Sequence, residues 1–195
     1  MSQIQPFKVL FLCTGNSGRS IFGEFLMRKL GNGAFETWSA GAQPRGEVSV
    51  YALRVLRDCY HLDTEGARSK SFNKFVNIPF DYVITVCDRA REIFPTWPDK
   101  AVVAHWSSPD PAAFCGSEEE TFQYYVKVAA QIQQRIQLMC CVPLASLDQR
   151  PPGAADAGNR GEGKVSLTKH EKDSHRHQWL RAHRSPHVPR RVELA

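Results

Sequence analysis

The sequence lacks several features that mark common classes of protein. Its 195 residues contain no run of eighteen apolar residues, so no membrane-spanning helix is predicted. The N-terminus lacks the basic start and small-residue cleavage site of a secretory signal, so a cytoplasmic location is expected. The six cysteines include no C-x-x-C pair, so no metal site is predicted and reduced thiols are expected.

The net positive charge of the chain lies mostly in its last part. Residues 151–195 carry nine Lys and Arg against five Asp and Glu, so they hold four of the five net positive charges. This segment is rich in Pro, Gly and Ala, then in His, and has no apolar periodicity. It predicts a disordered, dispensable tail over 150–195 after one catalytic domain over 1–149. Its irregular His spacing and few aromatics favour neither a metal nor nucleic acid.

Apolar residues in the first 149 positions alternate between strand-like and helix-like patterns. Strands are predicted at 7–13, 35–40, 82–86 and 101–105, and helices at 17–30, 48–60 and 118–141. The third helix is expected to bury Phe122, Tyr125, Val126, Ala129, Ile132 and Ile136. This alternation predicts a three-layer αβα fold with a four-stranded parallel sheet in the order 2-1-3-4. Ligands in such folds bind beyond the carboxyl ends of the strands.

The turn after the first strand has the pattern Cys-x5-Arg, in the sequence CTGNSGRS. Its backbone N–H groups can surround an anion, and the following helix points its positive end at the same place. Gly15 and Gly18 are expected to allow unusual dihedral angles, and Asn16 tolerates the left-handed region. The predicted oxyanion-binding residues are Thr14, Gly15, Asn16, Ser17, Gly18 and Ser20.

Cys13 and Arg19 carry the chemistry that this turn suggests. The planar guanidinium of Arg19 can bind two oxygens of a tetrahedral oxyanion. The positive field of Arg19 and of the helix N-terminus is expected to lower the pKa of Cys13. Ser20 can donate a hydrogen bond to the resulting thiolate, which is a nucleophile. A structural cysteine and a surface arginine at this spacing are the alternative, but the strand, glycines and helix around them favour function. A nucleotide-binding loop is excluded because GK[ST] is absent.

The segment VLFLCTGNSGRS resembles the phosphate-binding loop of low-molecular-weight protein tyrosine phosphatases and, more closely, that of the related arsenate reductases. Four other segments also match: WSAG at 38–41, ARSKSF at 67–72, FDYVITVCD at 80–88 and HWSSPDPA at 105–112. The resemblance covers roughly residues 7–148 and implies the low-molecular-weight phosphatase fold. It also implies a general acid at Asp110, although Asp110-Pro111 taken alone also reads as a turn.

The residues after Asp110 separate the two activities of this family. Phosphatases of this fold carry aromatic residues there, whereas this chain has Ala112 and Ala113, which cannot stack on a phenol. The resemblance therefore implies an arsenate reductase acting on arsenate through a covalent cysteine adduct. Hydrolysis of phosphate monoesters through a cysteinyl-phosphate is the alternative, and a non-catalytic oxyanion-binding module is a third.

Reduction of arsenate needs thiols besides Cys13. The chain carries only some of the cysteines that related reductases use for this purpose. Cys87 matches the first resolving cysteine of thioredoxin-coupled relatives, although a core cysteine is an equal interpretation. Phe94 occupies the second position, and Gly18 occupies the position of a loop cysteine in another branch. An external thiol, from thioredoxin or from glutathione with glutaredoxin, is therefore expected. The chain is expected to act as a monomer without a bound cofactor.

Overall fold

A computed structural model describes residues 5–94, 96–97 and 101–141 of the protein. The predicted tail over 150–195 lies outside these residues. The domain boundary at 149/150 and the dispensability of the tail therefore remain predictions.

The four strands are β1 (Phe7–Cys13), β2 (Phe35–Gly41), β3 (Tyr82–Thr85) and β4 (Val102–His105). All neighbouring pairs are parallel and the sheet order is β2-β1-β3-β4, which confirms the predicted topology. β1 lies inside the sheet, and its residues 9–12 are completely buried. A strand covered on both faces needs this continuous apolar run.

The helices are α1 (Arg19–Leu30), α2 (Val50–Asp58), α3 (Asp88–Ile93) and α4 (Glu118–Cys141). The short helix α3 was not predicted, and α1 begins two residues later than expected. In α4, Val128 is buried and Val126 is only half-buried, so the prediction for Val126 was wrong. Within the described residues, no helix combines the length and apolar character that crossing a membrane needs.

Helix α1 follows β1 along the chain and packs closely against the sheet. A Cβ atom on Gly23 would lie 2.4 Å from a ring carbon of Phe11, so only glycine permits this approach. α1 also packs against β2 and α4. The carboxyl ends of the parallel strands lie on the same side of the sheet, where Cys13 ends β1 and Cys87 lies two residues after β3.

Candidate active site

The turn between β1 and α1 is held by the segment that follows β2. Four of its carbonyl groups accept backbone hydrogen bonds of 2.8–3.1 Å from that segment. The pairs are Cys13 with Ala42, Thr14 with Gln43, Gly15 with Arg45, and Ser17 with Ser49. Because these carbonyls face outward, the N–H groups of the loop are left for its inner side.

Asn16 provides the sharp bend of the loop. It is fully buried with φ of 43°, in the left-handed region that Asn tolerates. Its side-chain Nδ2 donates to Ser20 Oγ and Ser39 Oγ, both at 2.8 Å, and its Oδ1 accepts from the Lys70 amide at 2.6 Å. Of the two glycines expected to supply unusual dihedrals, Gly18 does so with φ of −148° and ψ of −82°, while the positive φ of the loop is at Asn16.

A buried carboxylate behind the loop was missed by the sequence analysis. Glu24 is 6% exposed and accepts hydrogen bonds from Ser39 at 2.5 Å and from Lys70 Nζ at 3.0 Å. Arg28 also pairs with it at 2.9 Å, which compensates the buried charge. The matching segments WSAG and ARSKSF contain Ser39 and Lys70 and were the available signal. This network fixes the residues that hold Asn16.

Cys13 lies inside the loop and is 2% exposed. The Asn16 amide donates to its Sγ at 3.0 Å, and Ser20 Oγ lies 2.9 Å from it. Burial raises the pKa of Cys13, while the hydrogen bonds from Ser20 act in the opposite direction; Cys87 raises the pKa and Arg19 lowers it. The predicted lowering of this pKa was therefore wrong, because desolvation of the sulfur outweighs the groups that lower the pKa.

Replacing Ser20 with alanine is expected to shift the reactivity of Cys13 to higher pH. The substitution removes a hydrogen bond that lowers the pKa, so burial then acts with less opposition. Alkylation of Cys13 by iodoacetamide, followed by mass spectrometry across pH, measures the shift. Ser117→Ala is the control, because its hydroxyl bonds to the exposed Glu120. An unchanged alkylation profile in Ser20→Ala would show that the hydroxyl does not act on the sulfur.

Arg19 and Asp110 form an ion pair at the opening of the loop. Arg19 Nη2 lies 3.1 Å from Asp110 Oδ2, and the arginine side chain is 11% exposed. Arg19 Nη1 also donates to the Ser108 carbonyl at 3.2 Å, while Arg135 donates to Ser108 Oγ at 2.9 Å. The guanidinium is thus held in one orientation, and a bound oxyanion would compete with Asp110 for it.

Cys87 lies directly beside the loop, where it caps the start of α3. It is 4% exposed and its Sγ is 3.4 Å from Thr14 Oγ1. The following Asp88 accepts hydrogen bonds of 2.9 Å from His105 and from Ser107, and these bonds lower the pKa of its carboxyl. The contacts of Asp88 tie the start of α3 to the residues at and after the end of β4.

The loop opens into a cavity of about 570 Å³ that gathers the predicted residues. Cys13, Thr14, Gly15, Ser17, Gly18, Arg19, Cys87 and Asp110 all line it, whereas Asn16 and Ser20 lie behind it. Arg45, Arg89, Gln43, Ala112 and Tyr125 also line it; the sequence pattern did not indicate Arg45, Arg89 and Tyr125. Ser49 donates to the Tyr125 hydroxyl at 3.1 Å.

Phe94 occupies the place where a second resolving thiol was considered. It is 1% exposed and its ring contacts Phe72 and Trp97 at centroid distances of 4.8 and 6.0 Å.

Within the described ranges, His, Cys, Asp and Glu side chains form no group of three or more that could hold a metal ion.

The chain is similar to known proteins over the part that forms this site. The family model described as "Low molecular weight phosphotyrosine protein phosphatase" matches residues 8–150. An arsenate reductase of Oceanobacillus iheyensis is 31% identical over 130 residues, covering 67% of this chain and 92% of the relative.

Two solved structures resemble the chain over about two thirds of its length. One is an arsenate reductase from Archaeoglobus fulgidus, with 25% identity and a TM-score of 0.55, covering 68% of this chain and 98% of that one. The other is a low molecular weight protein tyrosine phosphatase from T. tengcongensis, with 24% identity and a TM-score of 0.57. It covers 68% of this chain and 97% of the phosphatase, and it supports the fold.

Proposed function

Because the chain belongs to the low molecular weight phosphotyrosine protein phosphatase family, we propose that it is an arsenate reductase whose nucleophile is Cys13. The observation that carries this proposal is that Cys13, Arg19, Cys87 and Asp110 line one cavity together with the small Ala112. Two thiols beside one anion-binding loop suit a reduction, because hydrolysis needs only one.

The first step is the binding of arsenate in the loop. The inward N–H groups and Arg19 neutralise its charge, and the oxyanion displaces Asp110 from the guanidinium. Since burial raises the pKa of Cys13, the arsenate dianion accepts the thiol proton as it binds. The Cys13 sulfur then attacks arsenic, an S–As bond forms and an As–O bond breaks. Asp110, released from the guanidinium, takes up a proton from solvent and passes it to that oxygen, which leaves as water.

The second step transfers two electrons to arsenic. The Cys87 thiolate attacks the Cys13 sulfur, and an S–S bond forms as the S–As bond breaks. The electron pair of the S–As bond stays on arsenic, which leaves as arsenite after taking up protons. Arsenic is reduced from the pentavalent to the trivalent state, and the two sulfurs are oxidised to a disulfide. An external thiol must then restore the enzyme, because Phe94 cannot.

Replacing Cys87 with serine is expected to abolish arsenite release in a single turnover without added thiol. The pre-reduced wild-type chain can release about one arsenite per molecule in this assay, because its two sulfurs supply two electrons. Cys115→Ser is the matched control, since Cys115 is exposed. Arsenite yields that are equal in Cys87→Ser and the wild type would exclude Cys87 as the resolving thiol.

Hydrolysis of phosphate monoesters is the second candidate, and it is favoured by Tyr125. Tyr125 is the aromatic residue among those that line the cavity, and the residues directly after Asp110 supply none. A parallel assay decides between the two activities, with arsenate plus thiol in one arm and p-nitrophenyl phosphate in the other. The reductase proposal expects thiol-dependent arsenite with little aryl phosphate turnover, and the reverse result would overturn it.

A further inference from the structure

We propose that Arg45 and Arg89 form a subsite for the carboxylates of a small anionic thiol, such as glutathione, which reduces the oxidised site. This inference rests on the proposed reductase function and names the chemical class of its reductant. It comes from two arginines that line the cavity and whose guanidinium groups form no ion pair among the described residues.

The backbone of Arg45 is bonded to the loop. Its amide donates to the Gly15 carbonyl at 3.0 Å. Its side chain lies along the same residue, because a Cβ atom on Gly15 would be 3.2 Å from Arg45 Cγ and 3.3 Å from Nε. Arg45 is an exposed residue, so its guanidinium can be reached by a ligand in the cavity.

Arg89 approaches the cavity from another direction. It is exposed on α3, two residues after Cys87, and lines the cavity together with that cysteine. Asp110 pairs with Arg19, and Asp88 accepts from His105 and Ser107. Among the described residues, neither Arg45 nor Arg89 has a carboxylate partner. The cavity lining thus carries three arginines, Arg19, Arg45 and Arg89, against Asp88 and Asp110. The two guanidinium groups without an ion-pair partner match a ligand that carries carboxylates and a thiol.

The reductant has to come from outside the cavity. Phe94 is packed among aromatic rings. Among the described cysteines, Cys13 and Cys87 line the cavity, whereas Cys59, Cys115, Cys140 and Cys141 do not. A cavity of about 570 Å³ has the size of a small-molecule site. In the proposed complex, the sulfur of a tripeptide thiol lies near Cys87 and each of its two carboxylates meets one arginine.

Two glutathione molecules supply the two electrons that reduce the Cys13–Cys87 disulfide. The first thiolate attacks the Cys87 sulfur of the Cys13–Cys87 disulfide, so a mixed disulfide forms and Cys13 leaves with the electron pair. The second thiolate attacks the sulfur of the bound glutathione, which releases oxidised glutathione and the Cys87 thiolate. The enzyme disulfide is reduced by two electrons, and two thiols are oxidised to one disulfide.

The test compares glutathione with 2-mercaptoethanol, a neutral thiol, as reductant of the full-length chain after one arsenate turnover. We expect the ratio of the two second-order rate constants to fall about threefold in Arg45→Ala and in Arg89→Ala, and about tenfold in the double variant, as for exposed ion pairs. Arg45→Lys should recover part of the loss, and 0.5 M salt should reduce the difference by screening. Arg57→Ala and Arg91→Ala are controls outside the cavity lining and should keep the wild-type ratio.

A second measurement needs no arsenate and separates the two proposals. The reduced chain is treated with oxidised glutathione or with hydroxyethyl disulfide, and mass spectrometry follows the mixed disulfide at Cys87. A preference for glutathione that depends on the arginines supports the subsite, even if no arsenite forms in any assay. If arsenite forms but both arginine variants keep the wild-type ratio in both measurements, the subsite is wrong and the reductase proposal stands.

Discussion

Replacing Cys13 with serine is expected to lower arsenite formation by about 10⁴-fold or more, the scale seen when a catalytic nucleophile is removed. The serine hydroxyl is a far weaker nucleophile, and no oxygen–arsenic adduct can donate electrons as a thiolate adduct does. The loop N–H groups and Arg19 remain in place, so inorganic phosphate should still bind. Arsenite yield and phosphate binding by calorimetry measure the two properties separately.

The matched control for this substitution is Cys59→Ser. Cys59 is exposed at the end of α2 and does not line the cavity, so its replacement should preserve the wild-type rate. Substantial arsenite formation by Cys13→Ser would mean that another thiol is the nucleophile. Loss of phosphate binding would instead show that the sulfur also shapes the loop.

The parts of the fold that follow from local pattern were predictable. A continuous apolar run such as that of β1 indicates a buried parallel strand, and the spacing of apolar residues in α4 gives its buried face apart from Val126 and Val128. Helix α3 was missed because six residues are too few to show a helical period. The Cys13-to-Arg19 turn was recognisable because strand, glycines and helix occur together at fixed spacing.

Contacts between distant segments were not predictable in the same way. Asn16 is held by Ser20, Ser39 and the Lys70 amide, and two of these partners are 23 and 54 residues away. The pKa of Cys13 depends on how deeply the sulfur is buried, which no local pattern encodes. Arg45 and Arg89 likewise line one cavity only because the segments after β2 and β3 lie at the same end of the strands.

Gly41 shows how a residue outside the loop controls its shape. It ends β2 beside Cys13 in the sheet register, and its amide donates to the Lys70 carbonyl at 2.8 Å. A Cβ atom at this position would lie 2.7 Å from the Thr14 carbonyl oxygen and 2.9 Å from the Asn16 nitrogen. Both neighbours are backbone atoms of the loop, so they cannot move aside without displacing it. At Gly15 the nearest neighbour is instead the flexible side chain of Arg45.

Gly41→Ala is therefore expected to lower arsenite formation by about 100-fold, because a shift of about 1 Å in a positioning group can cost that much. Overpacking against the loop should also lower the free energy of unfolding by about 1–3 kcal/mol. Denaturant unfolding and single-turnover arsenite release measure the two effects. Gly15→Ala is the comparison, and it should be the more stable variant, since the Arg45 side chain can move. A Gly41→Ala chain with wild-type stability and activity would show that the loop tolerates displacement, and that its backbone geometry does not control the reaction.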